Sequence, residues 1–226
     1  MVNSYKCLYE GGSAEIIEKK SRFIATIRPI NTEQEAIDFI EEMKKKYWDA
    51  NHNCSAYVIG SKNEIERCSD DGEPSKTAGR PMLDVLVNEG IHNVAAVVTR
   101  YFGGTLLGTG GLVRAYQGAV KEGLLNCTII EKILAKKIEV ITDYNGIGKL
   151  QYIASTMNLI TLDTVYTDIV TATLLVIEET EHAFCKKFLE ATNGKAIFNE
   201  IDKIYYANVN GSILEFTSPN EFSKET

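Results

Sequence analysis

The 226-residue sequence has little of what marks several large protein classes. No apolar run approaches the roughly 18 residues of a membrane-spanning helix, so no such span is expected. The first residues, MVNSYKCLYEGG, lack the basic-then-apolar order of a secretory signal, and export by that route is not expected. The three histidines form neither an HxH nor an HExxH pair and offer no metal site. The five cysteines (Cys7, Cys54, Cys68, Cys127 and Cys185) are odd in number, scattered and without a CxxC. They read as reduced thiols of a cytoplasmic protein, not as a disulfide frame. There are four prolines, no Pro- or Ser-rich linker, no internal repeat and no low-complexity tract. With 44% hydrophobic and 24% charged residues the chain can bury a core, which excludes global disorder.

Positive charge is also in deficit: the net charge is −7, which argues against a generic nucleic-acid coat. Its distribution is uneven. Residues 1–130 hold 15 Lys and Arg against 17 Asp and Glu, and residues 131–226 hold 9 against 14. All six arginines (Arg22, Arg28, Arg67, Arg80, Arg100 and Arg114) lie in the first part. Arginine suits bidentate contact with phosphate or carboxylate, so an anionic partner is expected to engage that part.

Hydrophobic patterning predicts strands over 4–9, 14–18 and 22–28, then a helix capped by Asn31 or Thr32 with Ala36, Ile37, Ile40 and Met43 at helical spacing. A strand over 54–59 and a short partner over 65–68 follow. Ser69–Pro81, rich in Asp, Gly, Ser and Pro, is expected as an exposed, mobile loop. Next come a helix over 82–89, a strand over 94–99 and a helix over 111–125. The second part predicts a strand over 135–142, a helix over 144–157, strands over 159–166 and 169–177, a helix over 180–192 and a last strand or strand pair over 196–209. That order, βαββαβ, is the ferredoxin-like split unit. The expectation is an α+β protein of two closely packed domains, 1–132 and 133–226.

The densest unusual segment is 69–118. Between 74 and 121 the chain carries Lys76, Arg80, Arg100, Arg114 and Lys121 against only Asp84 and Glu89, a basic stretch within an acidic protein. Gly103, Gly104, Gly108, Gly110 and Gly111 stand between a strand and a helix. Glycine lets the backbone approach a ligand, and a helix N-terminus presents unpaired N–H groups to an anion. The P-loop GxxxxGK[ST] is absent, and a dinucleotide fingerprint fails at Val113. A ligand-free tight turn, contact with an anion or RNA backbone, and a nucleotide site all remain open. Asp70, Asp71 and Glu73 read as a solvated or partner-contacting loop that Lys76 and Arg80 can pair with. His52 and Cys54, two apart on a strand, face the same side, but a nucleophilic dyad needs further groups that the sequence does not assign. Cys54 therefore reads as a buried strand residue, and His92 and His182 as surface or packing residues.

The segments His52–Tyr57, Ser69–Pro74 (SDDGEP), Thr77–Pro81 (TAGRP), Val97–Gly104 (VVTRYFGG) and Leu107–Tyr116 (LGTGGLVRAY) resemble the IMPACT/YigZ family in order and content. The likeness covers about residues 20–130, and the C-terminal part is similar in layout to the bacterial YigZ type. Lys76 departs from it, standing where the family has a small residue. The resemblance implies a first domain like the second domain of a small-subunit ribosomal protein, and a second like the last domain of elongation factor G. Eukaryotic members carry an extra N-terminal domain and act in translational control through a partner in an initiation-factor kinase pathway. The expected layout is the bacterial one, without that extra domain.

The resulting expectation is a non-enzymatic, cytoplasmic, translation-related protein that binds RNA or a ribosomal surface, with a translation-related protein partner also in view and no cofactor. Lys76, Arg80, Arg100 and Arg114 are the expected phosphate contacts. The five glycines would admit the backbone, and Tyr101, Phe102 and Tyr116 would stack on bases or pack in the core. Two other classes fit the same segment: an enzyme acting on a phosphorylated small molecule or peptide at the glycine-rich turn, and a protein-interaction module.

Overall fold

The computed structural model describes residues 2–217. It divides into two compact units, one of residues 2–132 with Asn208–Gly211, the other of Ile133–Ala207 with residues 212–217. The expected second domain, 133–226, thus cedes the turn Asn208–Gly211 to the first unit, and its residues 218–226 lie outside the described residues.

The first unit runs β1 (Ser4–Glu10), β2 (Gly12–Glu18), β3 (Ser21–Pro29), α1 (Glu33–Lys46), β4 (His52–Ile59), β5 (Ile65–Ser69), α2 (Gly79–Asn88), β6 (Ile91–His92), β7 (Val94–Tyr101) and α3 (Thr109–Leu125). Five strands form an antiparallel sheet in the order β2-β3-β7-β4-β5. Its central strand β7, VAAVVTRY, is apolar and rich in β-branched residues, and it is buried along nearly its whole length. Both faces of the sheet are covered. Phe23, Ala25, Ile27, Cys54, Ala56, Val58, Ala96 and Val98 pack against α2 and α3 through Met82, Leu86, Leu112, Tyr116, Ala119 and Val120. On the opposite face Tyr57, Ile59, Ala95 and Val97 meet Ala36, Phe39 and Met43 of α1. The short β6 pairs in parallel with β1 and was not expected from its two residues.

Helix α1 starts where a capping side chain stands: Thr32 Oγ1 accepts the Glu35 N–H at 3.2 Å, and Glu35 reaches back to the Asn31 N–H at 2.7 Å. Its buried stripe contains Phe39, and Ile37, expected on that stripe, is exposed. Lys44, Lys45 and Lys46 close its last turn, where cations oppose the negative end of the helix dipole. Helix α2 begins at Gly79, three residues before the expected start, and α3 begins at Thr109.

The second unit holds most of β8 (Thr128–Thr142), then α4 (Gly146–Thr156), β9 (Ile160–Tyr166), β10 (Val170–Val176), α5 (Glu178–Ala191), β11 (Ile197–Val209) and β12 (Ser212–Phe216). The pairings β9-β10-β8-β11 are all antiparallel, which is the ferredoxin-like strand order, and β12 adds a fifth strand beside β11. Ile138, Val140, Ala172 and Leu174 pack under α4 and α5 with Leu150, Ile153, Phe184 and Phe188. Tyr144 stands before α4, exposed, and not on its apolar face; its hydroxyl donates to the Thr167 carbonyl at 2.5 Å.

Candidate functional site

The segment 69–81 is organised by its own carboxylates. Asp70 Oδ1 accepts the N–H groups of Ala78 and Gly79 at 3.0 and 2.8 Å, and Oδ2 accepts that of Lys76 at 2.8 Å. It thereby satisfies donors at the start of α2, whose N-cap residue Ala78 has no side chain able to do so. Asp71 Oδ2 accepts the Asn53 N–H at 2.7 Å, and its other oxygen lies 3.3 Å from Lys44 Nζ. Ser69, Gly72, Pro74, Ser75, Lys76 and Arg80 are exposed, as expected of a loop, while Glu73, Thr77 and Ala78 are buried and anchor it. Its scarcity of apolar atoms is offset by backbone hydrogen bonds that fix it against β4 and α2.

Glu73 is the centre of a buried polar cluster. Its Oε1 lies 2.6 Å from Arg100 Nη1 and accepts the Tyr116 hydroxyl at 2.8 Å. Both charged side chains are nearly sequestered, Glu73 2% and Arg100 6% exposed. Arg100 Nη2 also reaches Ser21 Oγ at 3.5 Å, and its Nε has no acceptor among the described residues. The Cys54 thiol donates to the Asp70 carbonyl at 3.0 Å and lies 3.4 Å from the Tyr116 hydroxyl. Burial pushes that thiol up to about 12, with the nearby hydroxyl pulling the other way, so it is protonated at neutral pH and is no nucleophile. Burial likewise pushes the Tyr116 phenol far upward. His52 Nδ1 lies 2.9 Å from the Asp71 carbonyl. A carbonyl only accepts, so that nitrogen carries the proton, and Nε2 is left 3.9 Å from Glu73 Oε1.

The turn between β7 and α3 is built by two glycine requirements. A Cβ on Gly103 would run into the Lys20 backbone carbonyl. Gly108, the N-cap of α3, has φ +74°, which a side chain resists. The turn is pinned from outside: Phe102 N–H donates to Asn51 Oδ1 at 2.7 Å, and Gly103 N–H to Ser21 Oγ at 3.1 Å. No side chain caps α3, and the N–H groups of Thr109, Gly110 and Gly111 have no partner among the described residues. On one side of this helix start lies a cleft of about 480 Å³ lined by Asn51, His52, Gly72, Glu73, Pro74, Arg100, Phe102, Leu106, Leu107, Gly108, Thr109 and Leu112.

The expected site residues therefore separate. Arg100 is withdrawn from any exposed phosphate by its ion pair with Glu73. Tyr116 is fully buried, edge-on to Phe23 at 5.2 Å, and cannot stack on a base. Tyr101 donates to Asp49 at 2.8 Å and lies under the Arg22 guanidinium. Phe102 is exposed at the cleft. Arg80 pairs with Asp84 at 2.8 Å in α2, Lys76 is exposed, and neither side chain pairs with the loop carboxylates. Arg114 is exposed one turn into α3 and has no ion pair or hydrogen bond among the described residues.

Lys19 and Lys20 join this surface although they were not among the expected contacts. They form the two-residue tip of the β2–β3 hairpin, both with positive φ. Lys19 lines a hollow of about 180 Å³ together with Glu18, Leu107, Gly111 and Arg114. Their signal in the sequence is a Lys-Lys pair between two apolar-alternating strands.

Comparison with known proteins agrees with this architecture. Residues 19–124 match the Impact N-terminal domain and residues 140–195 a domain of unknown function, DUF1949. The chain is 41% identical to IMPACT family member YvyE of Bacillus subtilis over 215 residues, 95% of this chain and 99% of that protein. It is 32% identical to Protein IMPACT of Mus musculus over 98 residues, 41% of this chain and 30% of that one. A solved structure described as the crystal structure of a hypothetical protein superposes with a TM-score of 0.57 at 29% identity, covering 89% of this chain and 99% of that one. With nearly end-to-end likeness to one member, the chain belongs to the IMPACT family.

Proposed function

We propose that this protein is a translation-related regulator that binds RNA or a ribosomal surface through phosphate contacts at the glycine-rich turn. The observation that carries the reading is the shared hollow of Lys19 and Arg114 beside the uncapped start of α3. A cation near a helix N-terminus is unfavourable unless an anion joins it. Arg114 has no carboxylate partner among the described residues, so an external anion fits there. Lys20 stands at the same hairpin tip, and the exposed Lys76 and Arg80, before and within α2, are the further phosphate contacts of this reading. The Arg80–Asp84 pair is solvent-exposed and costs little to exchange for a phosphate. The resemblance of the signature segments to proteins of translational control supports the same class of partner.

Ribosome co-sedimentation at several salt concentrations tests the reading. Binding should weaken as salt rises. Arg114→Ala and Lys19→Ala should each weaken it further, and each should lower the salt slope by about one unit, the value of a single phosphate. Wild-type affinity and slope in both variants, or binding insensitive to salt, would reject phosphate contact at this turn.

A further inference from the structure

We propose that the cleft beside the glycine-rich turn binds one ribonucleoside 5′-phosphate unit. Its phosphate would lie on the first N–H groups of α3, a ribose hydroxyl on Glu73, and its base against Phe102. Three independent features converge there. Helix α3, 17 residues long, presents the N–H groups of Thr109, Gly110 and Gly111 without partners among the described residues, and Gly108 and Thr109 line the cleft. Glu73 also lines the cleft. Its side chain is only 2% exposed, yet Oε1 alone is engaged, and Oε2 accepts nothing among the described residues. That oxygen is not sealed: it meets the cleft, where a ligand hydroxyl can donate to it, and the buried donor without an acceptor on the same wall is Arg100 Nε. Phe102 and Leu106 stand exposed on the remaining wall, 45% and 82%, offering an aromatic face and an aliphatic one.

Charge decides the ligand class. The Arg100 guanidinium neutralises Glu73, so the carboxylate does not bar an anion, and the helix dipole attracts one. A bare anion leaves Glu73 Oε2 and the apolar wall unused. A bare cation leaves the helix donors unused. A phosphate ester whose sugar bears hydroxyl groups and whose ring is flat satisfies all three, and about 480 Å³ lies within the roughly 300–1,000 Å³ of small-ligand sites. The unit comes either from a free mononucleotide or from the 5′ end of an RNA. The second source rests on the RNA reading above; the first does not.

The test is calorimetric titration of the full chain with each of the four ribonucleoside 5′-monophosphates. Adenosine, 2′,3′-dideoxyadenosine 5′-monophosphate and inorganic phosphate serve as controls. Saturable binding of at least one mononucleotide is expected, with each control about tenfold or more weaker. Thr109→Pro removes one donor at the first helical position, where proline is tolerated, and the ψ of 166° at Gly108 before it lies outside the helical range that a following proline disfavours. This variant should weaken binding about tenfold or more with an unchanged melting temperature. Should Thr109→Pro unfold, Phe102→Ala at its exposed position decides, with a loss of about tenfold expected. No saturable binding of any of the four overturns the proposal, as does competition by inorganic phosphate equal to that of the nucleotide, or wild-type affinity in the folded variants. Titration of 5′-phosphorylated and 5′-hydroxyl RNA oligonucleotides separates the two readings. RNA bound alike with either end, in a chain that ignores mononucleotides, leaves the RNA reading and removes this one. Mononucleotide binding without RNA binding does the reverse.

Discussion

At the residue scale, Arg100 and Glu73 show how an arginine beside a glycine-rich turn can be an anchor instead of a ligand contact. The sequence places Arg100 at the end of an apolar strand, where an exposed anion contact is the simplest inference. The structure buries it, and burial of a charge demands a partner. Glu73 supplies that partner from a distant loop, and Tyr116 supplies a second hydrogen bond to the same oxygen. Removing one member of such a pair leaves the other charged, desolvated and unsatisfied. Arg100→Ala should therefore cost about 3–5 kcal/mol of stability in urea unfolding. Arg100→Lys keeps the charge without the planar fork and should lose less. A stability unchanged in Arg100→Ala would show that Glu73 is not held by this pair. Arg114→Ala, on an exposed helix position, should change stability within about 0.5 kcal/mol. The two arginines that the sequence groups together thus give opposite signatures.

At the scale of elements, the strongly periodic segments and the polar loop were legible, and what anchors that loop was not. The strand over Val94–Thr99 and the βαββαβ order follow from hydrophobic spacing, and so does the helix from 31 or 32, apart from Phe39 replacing Ile37 on its buried stripe. Segment 69–81 has almost no apolar residues, so periodicity reads it as a solvated loop. Its order comes instead from carboxylates closing onto backbone N–H groups, an interaction without a sequence period. The same cause moves the start of α2 back to Gly79. Strand β12 lies past Val209, the end of the last expected strand. Asp70→Ala removes the acceptor for three backbone donors and should cost about 2 kcal/mol, the upper end for a helix cap. Hydrogen exchange should show the first turn of α2 losing protection before the rest of the unit. Uniform protection in that variant would place the cap elsewhere.

At the scale of the whole molecule, the buried thiols and phenols couple the fold to pH. Burial pushes Cys7 up to about 11, Cys54 to about 12 and Cys127 to about 11, and raises Tyr57 to about 12. An unfolded cysteine ionises near the ordinary thiol value of 9.0. Below that pH both states are protonated, and the folded chain keeps its full stability. Between 9.0 and the folded values the unfolded chain releases protons that the native chain retains, so stability falls as pH rises. Each fully shifted thiol contributes a slope of up to about 1.4 kcal/mol per pH unit. Urea unfolding from pH 8 to pH 11 should show this decline, steepest above the ordinary thiol value. Cys54→Ala, with no group to ionise, should begin less stable at pH 8 because the thiol no longer bonds Asp70 and Tyr116. Its stability should nevertheless fall less steeply with pH, so the two curves converge toward pH 11. Parallel curves would mean that Cys54 ionises alike in both states, contrary to its sealed position on β4 against Tyr116 of α3.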